Sequence, residues 1–112
     1  MKAEFKIITL DYDDIAWKEC KERIDFILQS NYVKSIKVFS SPLGDGYHLY
    51  VMLHQYMEWN LIMRLRRKWK DDGQRVMIDL MKERPEVMMI IFRSKTRKGY
   101  KYKEIWMGEY AN

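Results

Sequence analysis

The sequence predicts an α+β domain, a four-stranded antiparallel sheet with helices packed on one of its faces. Short β-branched and apolar stretches alternate with segments of helical periodicity, so strands and helices interleave along the chain. Two of the strand-like stretches are joined only by Pro42-Leu43-Gly44-Asp45-Gly46, a connection of hairpin length that makes them antiparallel neighbours. At 112 residues, with 47% hydrophobic and 33% charged side chains, the chain suffices for one globular core and not for two. Residues 1–112 are therefore expected to form a single domain.

Residues 4–12 (EFKIITLDY) are β-branched and apolar and read as the first strand. Asp13 or Asp14 then stands where a helix N-cap is expected, and Ala16, Cys20, Ile24, Ile27 and Leu28 recur at helical spacing to about Gln29. Residues 34–41 and 47–54 form the hairpin strands. A helix from about Met57 to Lys70 places Leu61, Leu65 and Trp69 on one face; Asp71-Asp72-Gly73 interrupts it. A shorter helix carries Val76, Met77, Leu80 and Met81, and Pro85 stops it. The apolar run 87–93 suits a buried strand. Thr96-Arg97-Lys98-Gly99 reads as a turn, and Tyr100 to Met107 as an optional edge strand. The order β-α-β-β-α-α-β is ferredoxin-like, or RNA-recognition-motif-like, with a split second helix.

Helices confined to one face leave the other face open. Alternation along the strands then sorts the side chains. Tyr47, Leu49, Val51 and Leu53 should face the helices, with His48, Tyr50, Met52 and His54 outward. In the first strand Ile8 and Leu10 point inward, and Thr9, Asp11 and Asp13 outward. Phe39 and Ser41 join the outward set. Asp11, Asp13, Ser41, His48 and Tyr50 are thus expected on one surface, and any chemistry is expected there.

Two carboxylates at i and i+2 of a strand resist joint ionisation unless a cation lies between them, and their oxygens suit Mg²⁺ or Mn²⁺. Asp11 and Asp13 are therefore candidate metal ligands. Alternatively, Asp13 or Asp14 caps the helix and Asp11 ends the strand in solvent. The glycine-rich turn before His48 offers backbone N–H groups to a phosphate, or is an ordinary hairpin bearing a surface histidine.

Asp11-Tyr12-Asp13, followed by the serine, glycine and histidine segment that ends Gly46-Tyr47-His48-Leu49-Tyr50-Val51, resembles the catalytic half of archaeo-eukaryotic primases. Their RNA-recognition-motif-like core carries an Asp-x-Asp pair on its first strand, a histidine motif on its hairpin and a third acid on a later strand. The chain also resembles small uncharacterised proteins of archaeal viruses and plasmids, in which a Gly-His hairpin precedes a segment like Asp71-Asp72-Gly73-Gln74-Arg75…Asp79. The resemblance implies a catalytic site of Asp11, Asp13 and His48, metal binding by the two acids, and nucleotide-phosphate contact by Ser41 and His48. Two departures point to a minimal or degenerate primase-like domain. Only about three residues precede the first strand, where a primase has a further module, and Asp79 falls within a predicted helix.

Nucleic-acid binding is the broader expectation, with DNA or RNA as partner. Phe39 and Tyr50, with Phe5, are candidates for stacking bases on the open face, although Leu49 stands where an RNA-recognition motif would place an outward aromatic. The net charge of +5 fits a polyanion partner. Cations cluster at Arg64, Arg66, Arg67, Lys68 and Lys70, and again at Arg93, Lys95, Arg97, Lys98, Lys101 and Lys103, with no acid in the second run until Glu104. Such runs otherwise form solvated faces. A third expectation is a non-catalytic homodimer, paired through sheet faces or edge strands by exposed aromatics and methionines. Trp17, Trp59, Trp69 and Trp106 are read as core or interface residues.

Several classes are excluded or disfavoured. No apolar run reaches the ~20 residues that span a bilayer, and the N-terminus lacks a secretory pattern. Cys20 is the one cysteine, which rules out an internal disulfide and a cysteine-based zinc site. It lies on the apolar helix stripe and is expected to be buried and inert. The expected location is the cytoplasm, that of the host if the chain is viral. Abundant Lys, Arg and Glu beside few Asn and Gln lean towards a thermophilic source. There is no P-loop, dinucleotide fingerprint, zincin motif or nucleophile elbow.

Overall fold

Ile8, Leu10 and Tyr12 alternate with Thr9 and Asp11 along the first strand, and this alternation sets the two faces of the sheet. The computed structural model describes residues 4–42, 46–80, 95–97, 100–102 and 104–111. Their elements run β1 (Glu4–Asp13), α1 (Trp17–Leu28), β2 (Val33–Ser40), β3 (Gly46–Glu58), α2 (Trp59–Lys68), α3 (Gly73–Leu80), β4 (Lys95–Arg97), β5 (Tyr100–Tyr102) and β6 (Ile105–Ala111). β1, β3, β2 and β6 lie side by side in that order as a four-stranded antiparallel sheet, and β4 and β5 pair separately.

One core joins Ile8, Leu10 and Tyr12 of β1, Ile36 and Val38 of β2, and Leu49, Val51 and Leu53 of β3 to the buried stripes of α1 and α2. Cys20, Ile24 and Ile27 supply the α1 stripe; Ile62, Leu65 and Trp69 come from α2 and its end. Both helices thus cover the sheet face that carries the apolar alternates. The inward set expected from the sequence is the one found. Burying side chains of this size stabilises by about 1.5–3 kcal/mol each.

The helix caps differ from expectation. Neither Asp13 nor Asp14 caps α1; its N-cap is Ala16, without a side-chain bond. The reason is the length of β1. Asp13 still pairs with Gly46, so the chain must turn sharply afterwards, and Asp14 does so in the left-handed region at φ 53°. Aspartate tolerates that conformation better than most residues.

β3 runs on to Glu58, past the expected end at His54, because Met57 and Glu58 pair with Phe5 and Glu4. Helix α2 accordingly begins at Trp59, not Met57. It ends in a Schellman turn, in which the Asp71 amide donates to the Arg66 carbonyl and the Lys70 amide to that of Arg67. Lys70 takes the left-handed position, at φ 61°.

The expected last strand is in fact two. Tyr100–Tyr102 pairs with Lys95–Arg97, so Thr96 and Arg97 are strand and not turn, whereas Ile105–Ala111 pairs with β2 at the sheet edge. Glu104, which belongs to neither strand, lies between them. The strand expected over 87–93, Pro85, and Lys98-Gly99 lie outside the described residues. No helix among the described residues is long and apolar enough to cross a membrane.

Candidate functional site

Asp11 and His48 are direct partners in the β1–β3 ladder, both on the face the helices leave uncovered. His48 Nε2 lies 3.4 Å from Asp11 Oδ1 and Nδ1 lies 2.6 Å from Glu104 Oε1. The hydroxyl of Tyr50, two residues on, donates to Glu104 at 3.3 Å. All three members of the His48 trio are largely buried. Burial alone disfavours the imidazolium. The bonds to Asp11 and Glu104, with their charges, outweigh it and hold His48 above the ordinary histidine value.

A second device fixes Asp11 from the open edge of β1. The Asp71 carboxylate accepts the Asp11 amide at 2.8 Å, the Asp72 amide at 2.9 Å and Arg66 Nε at 2.6 Å. Arg66 and Asp71 are both wholly buried side chains, so Arg66 is a structural anchor and not part of a solvated basic face. The Schellman turn swings Asp71 inward to reach it. Asp72 then starts α3, its carbonyl accepting the Val76 amide and its side chain the Gln74 amide.

These constraints gather Asp11, Asp13 and Asp72, each offering a carboxylate oxygen, within 4.8 Å of one another. Asp11 is buried, Asp72 half-buried and Asp13 exposed. Carboxylates this close favour a bound cation, and an all-oxygen donor set suits Mg²⁺ or Mn²⁺ more than zinc. Gly46 permits the geometry. A Cβ there would stand 2.6 Å from the Tyr12 carbonyl, so β3 could not lie against the end of β1 that presents Asp13.

On the same face an aromatic row crosses three strands. Phe39 of β2 meets Tyr50 of β3 at 5.3 Å and Trp106 of β6 at 5.2 Å between ring centroids, both edge to face. Trp106 is 53% exposed, so of the two readings the sequence allowed for the tryptophans, core or interface, it is not core. Phe5 instead packs against Trp59 beside the core, away from the row.

The structure therefore brings together Asp11, Asp13, His48, Phe39 and Tyr50. Ser41 sits at the hairpin base, where its amide donates to the Gly46 carbonyl. Arg64 and Arg67 do not join the site: they are exposed on α2, on the opposite side of the molecule from the aromatic row. Lys95 and Arg97 belong to β4, opposite Tyr102 and Tyr100. Arg93 and Lys98 lie outside the described residues. Asp79 is in α3, as its helical setting predicted.

Sequence reasoning missed Glu104 and the place of Trp106 beside Phe39, and it read Asp72 as part of a break between helices and of a resemblance segment, not as a neighbour of Asp11 and Asp13. The one signal for Glu104 was its isolation after a run of cations. No protein-family model, curated protein or solved structure matches the chain.

Proposed function

We propose that this domain binds single-stranded nucleic acid, DNA or RNA, on the helix-free face of its sheet. Asp11, Asp13 and Asp72 would hold Mg²⁺ or Mn²⁺ against a backbone phosphate beside the aromatic row. The observation that carries the proposal is the Tyr50–Phe39–Trp106 row, with His48 paired to Phe39 in register and joined to Asp11. Bases stacked on aromatic side chains gain about 1–3 kcal/mol each, whatever their identity. A cation at the acids would offset the repulsion between carboxylate and phosphate that otherwise keeps a polyanion away. Adjacency in the order β1-β3-β2, with α1 between β1 and β2 and α2 after β3, supports a ferredoxin-like or RNA-recognition-motif-like arrangement.

The sharper form of the proposal is a minimal or degenerate primase-like centre, in the setting of an archaeal virus or plasmid. In it Asp72 takes the part of the third acid, with Asp11 and Asp13 as the pair. The cation would polarise a phosphate oxygen, and the Glu104–His48–Asp11 chain would keep Asp11 oriented.

Quenching of tryptophan fluorescence by an oligothymidylate tests the proposal. Replacing Phe39 and Trp106 together by Ala should weaken binding about tenfold or more, and chelating the cation should weaken it further. Undiminished affinity in that double variant would overturn it.

A second reading has its own observation. Ile105, Trp106 and Met107 are consecutive, large, apolar and exposed on β6, an edge strand of the described sheet. Such an edge invites pairing with a second copy of the chain as a non-catalytic dimer. Sedimentation with and without oligonucleotide separates the two, since a dimer built on Trp106 would be dissociated by a strand that stacks there.

A further inference from the structure

We infer that α2 and its C-terminal turn carry a second, independent surface, which takes the phosphate backbone of double-stranded nucleic acid. Arg64, Arg67 and Lys68 recur at helical spacing on the exposed side of α2, and Lys70 follows in the Schellman turn. Arg66, in the same run, turns inward to Asp71, so the burial of one cation leaves the others as an outward row. Their setting contrasts with that of α1, where Lys21 pairs with Asp25 at 2.7 Å and Arg23 with Glu19 at 3.1 Å. Helix α2 contains no acid, and among the described residues Arg64, Arg67, Lys68 and Lys70 enter no ion pair. Asp71, next to Lys70, is held by Arg66; across the groove between α1 and the end of α2 stand Glu19, paired with Arg23, and Glu22.

Lys70 supplies a second argument. It occupies the left-handed position after a helix, at φ 61°, where glycine would sit without the steric cost a side chain brings. A lysine placed there gives up stability for a charge, and that charge extends the α2 row. Lys68 lies beside α1, its Nζ 6.0 Å from the centre of the half-exposed Phe26 ring. Cations spaced by a helix backbone suit a regularly spaced array of phosphates, because the spacing need not be created on docking. A duplex is that array; a flexible single strand is not. The contacts would be to phosphates alone and therefore indifferent to sequence.

This surface does not rest on the sheet-face proposal, and the test keeps the two apart. Fluorescence anisotropy with a labelled mixed-sequence DNA duplex and, separately, with oligothymidylate is measured over a series of salt concentrations. The triple variant Arg64→Gln, Arg67→Gln, Lys68→Gln should bind duplex at least about tenfold more weakly at low salt. Its log–log salt slope should shrink by about 0.9 for each phosphate it no longer neutralises, while its oligothymidylate affinity stays unchanged. Lys70→Gly should melt at a higher temperature and yet bind duplex several-fold more weakly, a combination no purely structural role produces. Duplex affinity equal to that of the unaltered protein in both variants would overturn the inference. So would an equal loss for duplex and single strand in the triple variant. A protein that binds duplex but not oligothymidylate would sink the sheet-face proposal and leave this one standing.

Discussion

His48 bridges Asp11 and Glu104, residues that approach it from β1 and from the position just before β6, at 3.4 and 2.6 Å. An imidazolium donates to both carboxylates at once; a neutral imidazole can donate to only one. The folded state therefore favours the proton.

The consequence for pH follows from that sign. A histidine whose pKa is higher folded than unfolded contributes stability that is fully present below its unfolded value, near 6.5, and is lost as pH rises through the folded value. Without added metal, thermal unfolding should show stability falling as pH rises above the ordinary histidine value. Glu104→Gln should flatten that slope and move the His48 proton resonance titration downward. A native His48 titrating at or below its ordinary value would contradict the geometry.

The acid cluster should respond to metal and to charge removal in opposite directions. Asp13→Asn relieves repulsion among the grouped carboxylates, so the metal-free variant should melt higher than the native protein. The same change should weaken Mn²⁺ binding about tenfold or more, because one charged ligand is gone. Paramagnetic broadening of resonances near Asp11 reads the affinity. Equal broadening in both proteins would remove Asp13 from the site.

Asp71→Ala should be among the most damaging single changes. It leaves the wholly buried Arg66 without its carboxylate and strips the Asp11 and Asp72 amides of their acceptor. Removing one partner of a buried pair costs about 3–5 kcal/mol. Urea unfolding measures it; a loss below about 1 kcal/mol would place Arg66 in contact with water instead.

Gly46→Ala tests the close approach of β3 to β1. The added Cβ meets the Tyr12 carbonyl at 2.6 Å, backbone against side chain, so one strand must move. Stability should fall by about 1–3 kcal/mol, and Mn²⁺ affinity should fall with it because Asp13 is displaced. An unchanged affinity in a destabilised variant would separate the strand packing from the acid cluster.

The sidedness of the sheet was legible because alternation is local. Leu49, Val51 and Leu53 against His48, Tyr50 and Met52 can face only opposite ways, and the same holds for Ile8 and Leu10 against Thr9 and Asp11. That was enough to place Asp11 and His48 together. The helix cap was not legible, because the choice between Asp13 as strand and Asp13 as cap depends on whether Gly46 lies opposite it.

By itself, then, the sequence determined the α+β class, the buried stripe of α1 and which strand residues share a face, since each follows from the chain's own periodicity; in α3 the expected Met77 is exposed instead. Only the tertiary structure decided that Glu104, 56 positions from His48, would complete its hydrogen bonds, that Asp71 would reach 60 positions back to hold Asp11, and that Arg66 would leave the basic row for the interior. Those partnerships are made where unlike elements meet, at a sheet edge or past a helix end. No repeat along the chain encodes such a meeting, because it depends on how strands and helices stack.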